Sequence, residues 1–368
     1  MSSASAESRS SGDPPARTPW RARIALACGA TVLALAVAEA GLRAADPQRP
    51  PMRFVELGEQ LGQNARGQFM ELVEADPELF WRLAPSVRLG QDTRPFYGLI
   101  SNAQGLREER EIPEEKGARE VRILFLGDSC TFGFLLQAEE TFVQVAEREL
   151  REAFPGTPIE CINAGVPGYS LFQGWRFLET RGRSLRPDLV VLAFGCNDAR
   201  NWDGLSDFDS YSAFQSVRPP GLLVHSAVAR KLWSLGAEAP PADGSRPRLT
   251  PDEFRALLAT CATSARSLGA DVLILVNGSR MNLQPGAGRG LLGDYQQQEY
   301  EFARTLQLGA AGDPALVDGV AVAVDLSRTL PADEVYLDQV HPSARLDDAL
   351  GKALAARITP WLRGRGAD

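Results

Sequence analysis

From Val121 onward, short apolar runs alternate with longer stretches of helical period, and that alternation leaves few architectures open. Val121-Arg122-Ile123-Leu124-Phe125-Leu126 ends at Gly127 and has the pattern of a strand buried on both faces of a parallel sheet. Phe142, Val143, Val145, Ala146, Leu150 and Phe154 then keep rough helical spacing until Pro155-Gly156 stops the run. The alternation continues with Ile159–Ile162 as a strand, Leu171–Leu185 as a helix and Leu189–Phe194 as a strand. Pro251–Leu268 follows as a helix, with Thr250 as N-cap and Glu253 completing a capping box. Asp271–Val276 is the next strand, Gln296–Leu308 a helix, Val320–Leu326 the last strand and Ala344–Trp361 the C-terminal helix. This predicts an α/β fold, a three-layer α/β/α sandwich on a parallel sheet, with active groups gathered at the carboxyl ends of the strands. The stretch Ala199–Arg248 is a long excursion that the pattern does not place.

The N-terminal part is of another kind. At ~100–200 residues per domain, 368 residues suit one large domain or two modest ones, and the sequence divides at its leader. Residues 1–19 are rich in Ser, Ala, Pro and Arg and are expected to be disordered. Residues 20–43 hold Ile24–Leu42, nineteen residues whose only charge is Glu39; at ~1.5 Å per residue they span the hydrocarbon of a bilayer. Arg17, Arg21 and Arg23 before it favour a cytoplasmic N-terminus, a bias softened by Arg43, Arg49 and Arg53 beyond it. The favoured reading is an uncleaved transmembrane signal anchor with the rest of the chain extracytoplasmic. The alternative is a signal peptide cleaved at Ala38-Glu39-Ala40, giving a secreted protein. Residues 44–118 read as a tether and irregular N-terminal extension, and residues 119–366 as the alternating α/β domain.

A net charge of −8 argues against a nucleic-acid partner. The five cysteines form no CxxC pair and only two histidines exist, His225 and His341, so no metal or other cofactor is expected. Buried, reduced thiols are favoured over disulfides. His225 sits in the apolar run Leu222–Trp233 with no carboxylate near it, and is expected to be a half-buried structural residue.

The turn after the first strand, Gly127-Asp128-Ser129, puts a hydroxyl at a strand's carboxyl end beside a helix start, where its own N–H can help hold an oxyanion. A base is offered by Asp338-Gln339-Val340-His341 before the last helix, where a turn can point carboxylate and imidazole the same way. Asn163-Ala164-Gly165-Val166-Pro167-Gly168 follows the second strand and Gly195-Cys196-Asn197-Asp198 the third; Gly168 can present its N–H, and Asn197 its amide, to a substrate oxygen. Each block alone reads equally as a turn.

Gly-Asp-Ser, then Asn-x-Gly with Gly168, then Gly-x-Asn-Asp, then Asp-x-x-His, in that order, resembles the SGNH or GDSL hydrolase family over roughly Glu120 to Leu362. The resemblance implies a flavodoxin-like sandwich with Ser129 as nucleophile, Asp338 and His341 as its triad partners, and Ser129, Gly168 and Asn197 as oxyanion donors. Ser101-Asn102-Ala103-Gln104-Gly105-Leu106-Arg107 also looks like the segment before the core in membrane-tethered members. Cys130, where an apolar residue often stands, and Arg345-Leu346, where a glycine is frequent, depart from the pattern without removing a catalytic group. The expected activity is a serine esterase working through an acyl-enzyme on an extracytoplasmic ester, either a small-molecule acyl or lipid ester or an acetylated polysaccharide. Activity should fall on the acid side as His341 takes up a proton. An O-acyltransferase to envelope polysaccharide with the same triad is the nearest alternative, and a catalytically silent surface binding module the next.

Overall fold

The structure, a computed structural model, describes residues 19–45, 71–89, 98–201, 204–216, 218–236, 246–275, 321–322, 336–337 and 340–368. They fall into two units, one of Met1–Pro47 with Val217–Ala237 and one of Gln48–Ser216 with Glu238–Asp368.

In the first unit, α1 (Trp20–Ala45) covers the apolar stretch, and its Trp20–Ala44 portion is long and apolar enough to cross a membrane. The second unit begins with two antiparallel pairs, β1 (Val73–Asp76) with β2 (Phe80–Leu83) and β3 (Arg88–Leu89) with β4 (Leu99–Ile100). The first sheet strand, β5 (Val121–Gly127), leads into the four-residue α2 (Ser129–Phe132) and then α3 (Phe142–Ala153). Next come β6 (Ile159–Asn163), α4 (Leu171–Phe177) and β7 (Leu189–Ala193). The helix expected over Leu171–Leu185 passes through a π-turn at Leu178–Gly182 before its last turn.

The excursion after β7 divides. Its α5 (Asp207–Ser216) belongs to the second unit, whereas a 3-10 turn at Gly221–His225 and α6 (Ala227–Ser234) belong to the first with α1. His225 is exposed there, not half-buried as expected, because its short turn puts only its carbonyl against α1, accepting from Arg43 at 2.8 Å. The second unit resumes with α7 (Pro251–Ser267), capped by the expected Thr250/Glu253 box, then β8 (Asp271–Leu275), β9 (Ala321–Val322) and α8 (Ala344–Gly364). The helix expected over 296–308 lies outside the described residues, as does most of the strand expected over 320–326.

The five sheet strands are parallel in the order β6-β5-β7-β8-β9. Taken in sequence order that is 2-1-3-4-5, the flavodoxin-like arrangement, and its switch point lies between β5 and β7. Alternate strand residues feed two cores. Leu124, Leu126, Val190, Leu192, Val272 and Ile274 meet Phe172 and Phe177 near α4, and Phe254, Leu257 and Cys261 of α7. Ile123, Phe125, Val191, Ala193 and Leu273 face Phe142 and Leu150 of α3 and Leu354 and Ile358 of α8. Burial on both faces explains why these strands read as continuous apolar runs.

The described residues of the segment before the sheet pack onto it. Leu72, Leu79, Phe80, Trp81, Leu83, Leu99 and Leu106 all join the α4/α7 core.

Candidate active site

At the β5/β7 switch point the chain leaves β5 through Asp128, which stays in the β region and accepts the Cys130 N–H at 2.9 Å as cap of α2. Ser129 opens that helix, 9 % exposed, and its Oγ lies 2.9 Å from His341 Nε2. Beside His341 an antiparallel bridge joins Tyr336 to Pro342, and the Leu337 N–H donates to the His341 carbonyl at 2.8 Å. The buried Phe134 ring packs on its imidazole with centroids 4.9 Å apart, and the Cys130 thiol donates to the Val340 carbonyl at 3.5 Å. Asp338 lies outside the described residues.

The loop after β6 brings Gly168 to the same end of the sheet. Asn163 ties the loop back, its side chain donating to the Thr131 carbonyl at 2.8 Å and accepting the Gly165 N–H at 3.0 Å. A Cβ on Gly165 would stand 2.4 Å from the Phe132 nitrogen, so the loop approaches α2 this closely only with glycine. Gly168 has φ of +80°, the left-handed region open to glycine. Its two flanking carbonyls are both held: Pro167 O accepts from Trp81 Nε1 at 3.1 Å, and Gly168 O from the buried Arg248 at 2.7 Å. In a trans peptide N–H and C=O point oppositely, so the Trp81 bond aims the Gly168 N–H away from the core.

Asn197, buried at the end of the loop after β7, directs its amide to the Tyr169 carbonyl at 3.1 Å and to Asp128 at 3.3 Å. Burial raises the Asp128 carboxyl, an effect countered by the Cys130 N–H and by the charges of His341 and Arg200. Asp198 next to it accepts the Leu171 N–H at 2.7 Å on one oxygen; burial pushes it up to about 7, against the pull of Leu171 and Arg248.

The structure therefore brings together Ser129, Gly168, Asn197 and His341. It adds three residues to which no sequence motif assigns a role. Trp81 and Arg248 hold the Gly168 loop, while Arg107 donates to the carbonyls of Phe132, Gly98, Ile100 and Leu136, with its guanidinium 4.5 Å over the Phe132 ring. Of the three, only Arg107 lay in a segment that the sequence singles out. None of the five cysteines is in a disulfide. Chemically, a serine hydroxyl against an imidazole nitrogen, near aimed N–H groups, can attack a carbonyl and hold the resulting oxyanion.

Residues 125–348 match the model of the GDSL-like Lipase/Acylhydrolase family. A search of curated proteins found no match. Among solved structures, the lipase/acylhydrolase from Enterococcus faecalis is similar at 19 % identity, over 65 % of this chain and 95 % of that one, with a TM-score of 0.40. A catalytic mutant of an acetylxylan esterase from Geobacillus stearothermophilus matches at 18 % identity over 67 % and 95 %, TM-score 0.40. A psychrotrophic esterase from Pseudoalteromonas sp. matches at 15 % over 66 % and 98 %, TM-score 0.40.

Proposed function

Since the chain belongs to the GDSL-like lipase/acylhydrolase family and is a hydrolase acting on esters, we propose that Ser129 is its nucleophile and His341 its general base. The observation that carries this reading is the 2.9 Å contact between Ser129 Oγ and His341 Nε2 at the sheet's switch point. His341 takes the hydroxyl proton as Oγ attacks the ester carbonyl, and the carbonyl electrons move onto oxygen. The Ser129 and Gly168 N–H groups receive that oxyanion. Asn197 joins them by exchanging its longer, 3.3 Å contact with Asp128 for the oxyanion. Collapse expels the alcohol, which leaves with the proton from His341, and an acyl-serine remains. Water, deprotonated by His341, attacks the acyl carbon and releases the acid. Asp338, three residues before His341, orients the imidazole.

The ester is extracytoplasmic in this reading, an acetylated carbohydrate or a short acyl or lipid ester, met by a catalytic domain that α1 anchors. The structure supports the anchor over cleavage in one respect. Glu39 accepts from Ala227 N–H at 2.8 Å and Val228 N–H at 3.0 Å, bonds that cutting after Ala40 would remove.

The test is labelling of the full chain by a fluorophosphonate and turnover of p-nitrophenyl acetate, beside Ser129→Ala and His341→Ala. Wild type should label and turn over, with kcat lowered at least ~10³-fold in either variant. Unchanged turnover in Ser129→Ala would sink the assignment.

A further inference from the structure

Glu39 lies fifteen residues beyond Ile24, about 22 Å along α1, and within one turn of Leu42, where the apolar stretch ends. A lone carboxylate at the edge of an apolar span needs an explanation. It has one in α6: Glu39 accepts from the N–H groups of Ala227 and Val228 and from Ser226 Oγ at 2.9 Å, capping the helix whose Ser226 carries the local N-cap. Arg43 binds Glu39 at 2.6 Å and the His225 carbonyl at 2.8 Å. The 3-10 turn and α6 are thus fastened to α1 at the height where hydrocarbon gives way to headgroups.

Much of what this segment shows to its surroundings is apolar. Leu222 is 87 % exposed, Leu235 73 %, Leu232 64 % and Trp233 47 %, with Leu223 exposed beside them. Leu35, one turn back toward the middle of α1, lines a groove with Leu222, Val228 and Leu232. The apolar surface therefore continues the surface of α1 on the hydrocarbon side of Glu39. The charge pattern agrees: residues 218–236 carry Arg218, Arg230 and Lys231 and no acidic residue, in a chain of net charge −8. Exposed leucines and a tryptophan beside cationic side chains are what an interfacial helix offers an anionic bilayer.

We propose that residues 218–236 are a second membrane contact, in which Leu222, Leu223, Leu232, Trp233 and Leu235 enter the headgroup–acyl boundary of the bilayer that α1 crosses. The contact rests on α1 spanning that bilayer and is independent of the ester chemistry. The chain then holds the surface at two points rather than hanging from one helix.

The full chain is reconstituted into phosphatidylcholine–phosphatidylglycerol vesicles, and the emission of Trp233 is isolated as wild type minus Trp233→Phe; the other tryptophans cancel. Lipids brominated near the top of the acyl chains should remove most of that emission, and acrylamide little of it. A Leu232→Glu/Leu235→Glu variant should lose the lipid quenching while keeping wild-type turnover of p-nitrophenyl acetate, which shows that it is folded. Emission open to acrylamide and blind to brominated lipid overturns the proposal. So does emission shielded from both, which would mean that a second copy of the chain covers this face. Release of the chain by alkaline carbonate would overturn the anchor and this contact together, whereas retention with unquenched Trp233 overturns the contact alone.

Discussion

The peptide between Pro167 and Gly168 is held at one end by Trp81 Nε1 and beyond the other by Arg248, itself bonded to Asp207 at 3.0 Å and Gln173 at 2.7 Å. Rigid donors cost no reorganisation when charge develops, so residues that touch no substrate set how well the Gly168 N–H is aimed. Trp81→Phe keeps most of the buried ring and deletes the donor. It should lower kcat about tenfold with KM nearly unchanged, and destabilise the chain by about 1–3 kcal/mol through the unpaired Pro167 carbonyl. A kcat equal to wild type would show that the loop holds itself. At this scale the site was half legible. Ser129, Gly168, Asn197 and His341 stand in short motifs whose spacing points to the roles proposed for them. Trp81 and Arg248 act through single bonds to carbonyls 86 and 80 residues away, which no local pattern encodes.

Among the elements, the segment between β4 and β5 forms a strap between the two loops of the site. Arg107 N–H donates to the Asn163 carbonyl at 2.9 Å, at the end of β6, while its side chain gathers carbonyls from β4 and from either end of the turn after α2. Phe80 takes φ of +64°, a costly conformation for a bulky residue, and stacks on Phe172 at 5.9 Å, so tertiary packing decides its backbone. The extension looked irregular in sequence because its strands are two to four residues long and their apolar side chains complete the α4/α7 core rather than one of their own. Sheet strands buried on both faces announced themselves; these could not. Arg107→Met should therefore cost about 3 kcal/mol or more in thermal unfolding, since several buried carbonyls lose their donor at once. It should also reduce fluorophosphonate labelling at temperatures where the variant stays folded. Labelling at the wild-type rate would leave the strap a stabilising element without influence on Ser129.

For the whole molecule, the buried carboxyls set how stability varies with pH. Burial, with repulsion from Glu147 and Glu160, pushes Glu108 up to about 8 despite the Asn163 N–H it accepts and the nearby Arg110. Burial also raises Glu147, Glu160 and Asp347, and lifts Asp198 to about 7. In Glu108 and Asp198 the folded chain thus holds a proton that the unfolded chain has already released above about 4.5, and Glu147, Glu160 and Asp347 are shifted in the same direction. Stability therefore falls as pH rises from about 4.5 through 8, by at most about 1.4 kcal/mol per pH unit for each such proton. Glu120 and Asp271 run the other way. Arg122 with the Gly117 N–H, and Trp361 with Arg365, hold their carboxyls low against partial burial, and they lose that stabilisation only as pH drops below the ordinary carboxylate range. Both are partly solvated, so the raised set dominates. The melting temperature should peak near pH 5 and decline toward pH 8. Glu108→Gln keeps the oxygen that accepts from Asn163 and cannot ionise, so it should flatten the decline between pH 5 and 8. Superimposable profiles would show that Glu108 is already charged at neutral pH, and that Arg110 compensates its burial more fully than its surroundings indicate.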